Sequence, residues 1–269
     1  MARVHHLSCG TMCPIGGARV TGHEVFVCHV LLVETKDGLV VVDSGYGLAD
    51  VRDATRLGLA RRLIRPVLRE EETVLRRVEA LGFSASDVRH VVLTHLDVDH
   101  AGGIADFPHA TIHATATEHD AATARRTFKE RERYRAAHFA HGPRWELHGA
   151  FGERWMGFDA VRAIERTDAD VLVVPLAGHT RGHAAIAVRA EGGAWLLHCG
   201  DAYFHGAEVR GADGRAPFGL QAFLRVNAID DGLRRRNLER LRELARREPD
   251  IQLFCAHDPE ELRALGGVP

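Results

Sequence analysis

The chain has 269 residues, 45% hydrophobic and 27% charged, the balance of a globular protein able to bury a sizeable core as one domain over 1–269. Its 35 lysines and arginines against 37 acidic residues leave a net charge of −2, so no global positive field draws nucleic acid, and that class of partner is excluded. No apolar run reaches the length of a membrane span, "MARVHHLSCG" lacks a signal-peptide core, and five scattered cysteines suit a reducing compartment, which together predict a cytoplasmic protein without membrane contact.

Residues 24–34 and 38–45 are β-branched apolar runs either side of the turn signal Lys36-Asp37-Gly38, the pattern of a hairpin. Residues 49–65 and 70–81 carry apolar positions at helical spacing. "SASDVRHVVLT" places a short helix before a buried strand, so His95 stands where a strand ends. A short strand over 110–114 precedes a polar stretch, 117 to about 140, of helical character. Apolar strands follow at 171–175, 184–189, 194–199 and 251–256. Between the last two lies an arginine-rich helix, 233–248, with Leu233, Leu238, Leu241 and Leu244 as its apolar stripe and the arginines as a solvated face. Strands interleaved with helices in two halves predict an α/β fold of two sheets with helices outside.

The stretch "VVLTHLDVDHAGG" crowds His95, Asp97, Asp99 and His100 into six positions. Three later polar residues each fall just past a predicted strand: His179 in "VPLAGHTRGH", Asp201 in "LLHCGDA" and His257 in "LFCAHD". Strand ends are where open sheets place their chemistry. Imidazole and carboxylate are the donors that divalent zinc, iron and manganese accept, and a dinuclear site needs about six to eight of them. Singly, a late aspartate is a helix cap and a late histidine one of 18. Clustered, two histidines and two aspartates in one loop call for a cation. Cys9 and Cys13 are four apart, but no second cysteine pair completes a tetrahedral site.

"VVVDSG", "THLDVDHAGG", "GHTRGH", "CGDA" and "AHD", in that order from about residue 5 to 257, resemble the metallo-β-lactamase superfamily. The resemblance implies a four-layer αββα sandwich, two mixed sheets with helices on the outer faces, and two divalent metal ions at the edge between the sheets. His95 and His179 would hold the first metal, Asp99, His100 and His257 the second, and Asp201 would bridge them. Asp43 would orient the metal loop and His183 would be structural, while Gly102 and Gly103 let the backbone pack close behind the ligands. Asp97 departs from the pattern, standing where the family has a second histidine. Flavodiiron proteins of the same superfamily carry a carboxylate there. As a further ligand Asp97 would lower the net charge of the site and harden it, so zinc is the first expectation, with iron or manganese as alternatives.

By resemblance the chain is a metal-dependent hydrolase in which a metal-bridging hydroxide attacks a lactone, ester or thioester carbonyl. N-acyl homoserine lactone-like substrates are favoured, and Asp99 is expected to shuttle a proton. A glutathione-thioester hydrolase and a mononuclear iron dioxygenase of the persulfide-oxidising type, needing only His95, His179 and Asp201, are the alternatives. A non-catalytic metal- or signal-binding module ranks behind them. The expected partner is a small acyl substrate, with a dimer as the candidate oligomer. An insertion over about 117–158 with Phe128, Tyr134, Phe139, Trp145, Phe151, Trp155 and Phe158 suggests a helical lid over an apolar cleft, most of these aromatics packing the lid onto the body and one or two reaching substrate. His138, His141 and His148 within it read as surface histidines. "HHLSCGTMCPIGG" resembles the leader of N-acyl homoserine lactonases, where an N-terminal loop lines the acyl channel. Tyr203 resembles a tyrosine those lactonases place near the metals, shifted by one position, and there it would hydrogen-bond a carbonyl or developing oxyanion.

Overall fold

The computed structural model describes residues 2–267 except 150, 151, 165, 166 and 212. Strands β1 (Arg3–Met12), β2 (Phe26–Thr35), β3 (Gly38–Val42), β4 (Val88–Val92), β5 (Thr111–Thr115) and β6 (Arg144–His148) form one sheet in chain order. Strands β7 (Glu153–Trp155), β8 (Phe158–Arg162), β9 (Val171–Pro175), β10 (Ala184–Arg189), β11 (Trp195–His198) and β12 (Gln252–Phe254) form the other, in the order β12-β11-β10-β9-β8-β7. Both sheets are mixed. The first is antiparallel across β1, β2 and β3 and parallel from β3 to β6; the second is antiparallel except where β11 meets β12.

The strand periodicity of two builds the layers. Leu31 and Val33 of β2 with Val40 and Val42 of β3 meet Val171, Val173, Ile186 and Val188 of the second sheet. Their neighbours Val30, Leu32 and Val41 turn the other way, onto Val74 and Val78 of the helix Val74–Ala80. On the far side Leu172, Val174, Ala185 and Ala187 pack on Leu238, Leu241 and Leu244 of the helix Asp231–Arg247. The result is the four-layer αββα sandwich, and strands buried on both faces explain the unbroken apolar runs.

The expected hairpin is β2–β3, with Leu31 opposite Val42. The helix expected over 49–65 is broken into Leu48–Arg52, a 3₁₀ turn Ala54–Leu57 and Arg61–Ile64. Asp53 interrupts it by accepting the Thr55 N–H, and Gly58 turns the chain at φ 65°. In the arginine-rich helix one arginine turns inward: Arg234 is buried and donates to the Ala202 carbonyl and to Asp231.

Two further expectations change. The polar stretch forms three short helices, Ala116–Ala124, Phe128–Arg133 and Ala136–Phe139, but the helical run stops there, because β6, β7 and the start of β8 occupy the remainder. The "HHLSCGTM" leader is strand β1, hydrogen-bonded to β2, and only the chain beyond it is a loop, carrying the one-turn helix Gly17–Thr21. All five cysteines are unpaired, and among the described residues no metal-competent cluster includes one. Nor is any described helix long and apolar enough to cross a membrane.

Candidate metal centre

Four loops converge at one end of the two sheets: those after β4, β9, β11 and β12. They bring the seven singled-out donors into two adjacent clusters, His95, Asp97, His179 and Asp201 in one, Asp99, His100 and His257 in the other. Asp201 faces both. Its Oδ2 lies 3.1 Å from His179 Nε2 and 3.7 Å from His95 Nε2, while its Oδ1 lies 3.0 Å from His257 Nε2 and 3.3 Å from His100 Nε2. Asp99 is 3.6 Å from His257 Nε2 through Oδ2 and 3.9 Å from His100 Nε2 through Oδ1.

The opposite side of three of the four rings is held so that Nε2 points inward, the exception being His179, whose Nδ1 has no partner. Asp43 Oδ2 accepts from His100 Nδ1 at 2.8 Å, the Val27 carbonyl accepts from His257 Nδ1 at 2.8 Å, and Thr94 Oγ1 stands 3.0 Å from His95 Nδ1. A ring whose Nδ1 proton is committed offers the Nε2 lone pair to a metal. Asp43 also accepts the Thr94 amide at 2.7 Å and its hydroxyl at 2.8 Å. It does so from the left-handed region, φ 60°, a conformation kept at functional loops when surrounding bonds hold it. Burial works against the Asp43 charge, but the His100 imidazole outweighs it and keeps the carboxyl at about 2. His183 accepts the Asp201 amide at Nε2, 2.9 Å, and donates from Nδ1 to the Leu176 carbonyl, so it sets the bridging carboxylate in place. Gly103 is needed for close approach: a Cβ there would stand 2.4 Å from the Ser44 carbonyl oxygen.

The donors fit divalent cations on their own account. His95 Nε2, His100 Nε2, Asp97 Oδ1 and Asp201 Oδ1 are buried with no hydrogen-bond partner. Each such atom costs about 1–3 kcal/mol unless something satisfies it, and a mixed imidazole–carboxylate set is what zinc, iron and manganese take. Burial opposes the Asp201 charge too. The imidazoles of His257, His100, His179 and His95 prevail, holding its carboxyl well below the usual range.

Three contributions were not foreseen. Arg133, at the end of the helix Phe128–Arg133, is buried and donates to Asp97 Oδ2, the oxygen that faces His95 Nε2 at 3.3 Å and His179 Nε2 at 3.1 Å. The charge argument for Asp97 is thereby corrected, because Asp97 and Arg133 together are neutral, as a histidine would be. Glu118 is buried behind the metal loops and accepts from the Leu96 and Gly182 amides. Phe204 and Phe26 form an apolar wall, with ring centroids 4.5 Å and 6.1 Å from that of His257. Phe204 follows Asp201 by three residues, a proximity readable in retrospect; Arg133 sits in "FKERER", which reads as a solvated helix.

Tyr203 requires correction as a catalytic residue. It is fully buried and its hydroxyl donates to Glu261, at 3.1 Å and 3.2 Å, in the core beneath the second sheet rather than among the metal donors. Most of the lid aromatics serve packing, as expected. Phe128 is exposed, Tyr134 is buried with its hydroxyl on Glu118, Phe139 and Trp145 pack on each other, and Trp155 and Phe158 belong to the core of the second sheet. Phe151 lies outside the described residues. His138 and His148 are buried rather than on the surface, His138 bonded to Asp50 and His148 to His113.

The family model "Metallo-beta-lactamase superfamily" matches residues 23–257. A probable metallo-hydrolase of Mycobacterium tuberculosis is 48% identical over 259 residues, 96% of this chain and 81% of that protein. N-acyl homoserine lactonase AttM of Azorhizobium caulinodans is 28% identical over 239 residues, 88% of this chain and 84% of that one. Among solved structures, an N-acyl homoserine lactone hydrolase with N-hexanoyl-L-homoserine at its catalytic metal centre shares the fold, with a TM-score of 0.73 and 20% identity over 97% of this chain and 95% of that chain. With a match over most of its length and a relative close to half identical, the chain belongs to the metallo-beta-lactamase superfamily.

Proposed function

We propose that this metallo-hydrolase holds two divalent metal ions and opens the ring of a neutral lactone carrying an acyl tail, of the N-acyl homoserine lactone kind. The observation that carries the reading is an apolar wall set directly against a seven-donor centre: Phe204 touches His257, and Phe26 and Phe223 stand at 5.8 Å and 5.9 Å from Phe204. The similarity to the AttM lactonase supports the same substrate class.

His95, His179 and Asp201 would hold the first metal, Asp99, His100 and His257 the second, with Asp201 shared. When bound, such cations supply Lewis acidity to a carbonyl and lower the pKa of water. The remaining work falls to the chain. Asp99 and Asp97 have side chains 14% and 12% exposed against 4% for Asp201, but Asp97 is bonded to Arg133, so Asp99 is the carboxylate placed to pass a proton to the leaving oxygen. Phe223, half-buried beside Phe204, is the member of this wall that would meet the acyl chain, while the buried Phe204 and Phe26 back it and keep water from the site. A net charge of −2 offers no docking field for a phosphodiester. The dioxygenase alternative leaves Asp99, His100 and His257 without a task, whereas the hydrolase uses them.

The test is an assay of metal-loaded protein on N-acyl lactones of rising tail length, thioesters and phosphodiesters, with elemental analysis of the same preparation. Chelation should abolish turnover, and kcat/KM should rise by up to roughly fourfold per added methylene, the equivalent of about 0.8 kcal/mol per buried CH₂. Equal rates on short and long tails would remove the acyl-tail reading. One iron per chain with oxygen consumption would replace hydrolysis by the dioxygenase chemistry.

A further inference from the structure

Arg133 makes the two metal positions unequal. Its guanidinium is always protonated and carries two N–H groups on each terminal nitrogen. Nη2 is anchored at the end of the helix Phe218–Asn227, donating to the Asn227 carbonyl at 2.7 Å and to its side-chain Oδ1 at 2.8 Å. Nη1 donates to Asp97 Oδ2 and, at 2.8 Å, to His179 Nε2. His179 Nε2 can accept that N–H only through its lone pair, the same pair a metal needs. The side chain of Arg133 is 5% exposed, so water does not screen the contact.

Two of the four donors of the first cluster are therefore already engaged by an organic cation. The second cluster is different. Among the described residues no arginine or lysine hydrogen-bonds Asp99, His100 or His257, and the Nδ1 atoms of both histidines are fixed by an aspartate and a backbone carbonyl. A metal entering the second position displaces no protein cation. One entering the first must take His179 Nε2 from Arg133, and finds the charge of Asp97 already balanced by the guanidinium.

We propose that Arg133 is a positioning residue that sets the order of metal loading: the second position fills first and tightly, the first fills later and weakly, after the guanidinium leaves His179. The proposal rests on the two-metal reading above. Asp97 then serves as the counter-ion that keeps Arg133 in place as much as it serves the metal.

The experiment is a titration of metal-free protein with Co²⁺, followed by calorimetry and by the visible absorption of the bound ion. For the wild type the expected result is two steps, with affinities separated by about 10–100-fold, the range by which a residue bonded to a metal ligand alters affinity. Arg133→Met keeps the unbranched stem of the side chain and removes the guanidinium and its donors, and it should strengthen the weak step at least several-fold while leaving the tight step in place. Asn227→Ala removes one anchor of the guanidinium and should shift the weak step the same way by a smaller factor, which decides the matter if Arg133→Met does not fold. Two equal steps in the wild type, or a weak step that loosens or stays fixed in these variants, would overturn the assignment to Arg133. Absence of any Co²⁺ binding would instead overturn the metal-centre reading itself.

Discussion

Asp201→Ala is expected to lower kcat/KM by on the order of 10³-fold and to leave neither metal position properly occupied. Among the described residues Asp201 is the carboxylate with one oxygen toward each cluster, 3.1 Å from His179 and 3.0 Å from His257. On the two-metal proposal, removing it would take an anionic ligand from both positions at once, and the charge stabilisation a bound metal contributes, several kcal/mol, corresponds to about three powers of ten. The loop should survive, because the backbone amide of residue 201 keeps its bond to His183 Nε2 whatever the side chain. Asp201→Asn should fare little better, since its NH₂ would face imidazole nitrogens where an anion is required. Elemental analysis, kcat/KM and a thermal melt on the same preparations separate the cases. Two metals and near-normal turnover in Asp201→Ala would show that the carboxylate is not a bridge.

That the donors are legible in sequence has a physical cause. Most follow a strand whose last residues are buried on both faces, and such strands are apolar runs, so the polar residue that ends one stands out. His95, His179 and Asp201 are of this kind, while His257 follows the edge strand β12, where Gln252 is exposed but Leu253 and Phe254 are buried. Other strands at the margins carry no such mark. β1 and β6 are edge strands, and β6, "RWELH", has only His148 fully buried, so its pattern merges with the helices before it. The partner of Asp97 was hidden for another reason. Arg133 lies 36 residues downstream in a helix of alternating charges, where nothing local separates the one inward arginine from its solvated neighbours. Tyr203 misled because proximity along the chain to Asp201 says nothing about direction: Ala202 and Tyr203 turn into the core of the second sheet, while Phe204, buried in a different cluster, packs against His257.

Glu118 is the residue whose loss is expected to damage stability most, although its position in a polar helix suggests a solvated face. Its Oε1 accepts the Leu96 amide at 3.1 Å and the Tyr134 hydroxyl at 3.0 Å, and its Oε2 accepts the Gly182 amide at 2.9 Å. One buried carboxylate thus ties the loop of His95 to the loop of His179 and both to the helices above them. The packing confirms how close these segments run, since a Cβ on Gly182 would stand 2.2 Å from the Glu118 nitrogen. Glu118→Ala leaves two buried amides and a phenol without an acceptor, and at about 1–3 kcal/mol for each unsatisfied group the net loss should be about 3 kcal/mol after partial relief by water. For a domain of this size that lowers Tm by roughly 6–12 °C. Glu118→Gln should not restore it. Whichever way the amide is turned, its NH₂ faces a backbone N–H, either that of Leu96 or that of Gly182, and two donors cannot satisfy each other. Calorimetric melts of the metal-free proteins test the point, because they exclude stabilisation by bound metal. A Gln variant melting with the wild type would mean that the carboxylate is no more than a spacer. A Gln variant as unstable as Ala would show that its charge and paired acceptors hold the two metal loops in register before any metal binds.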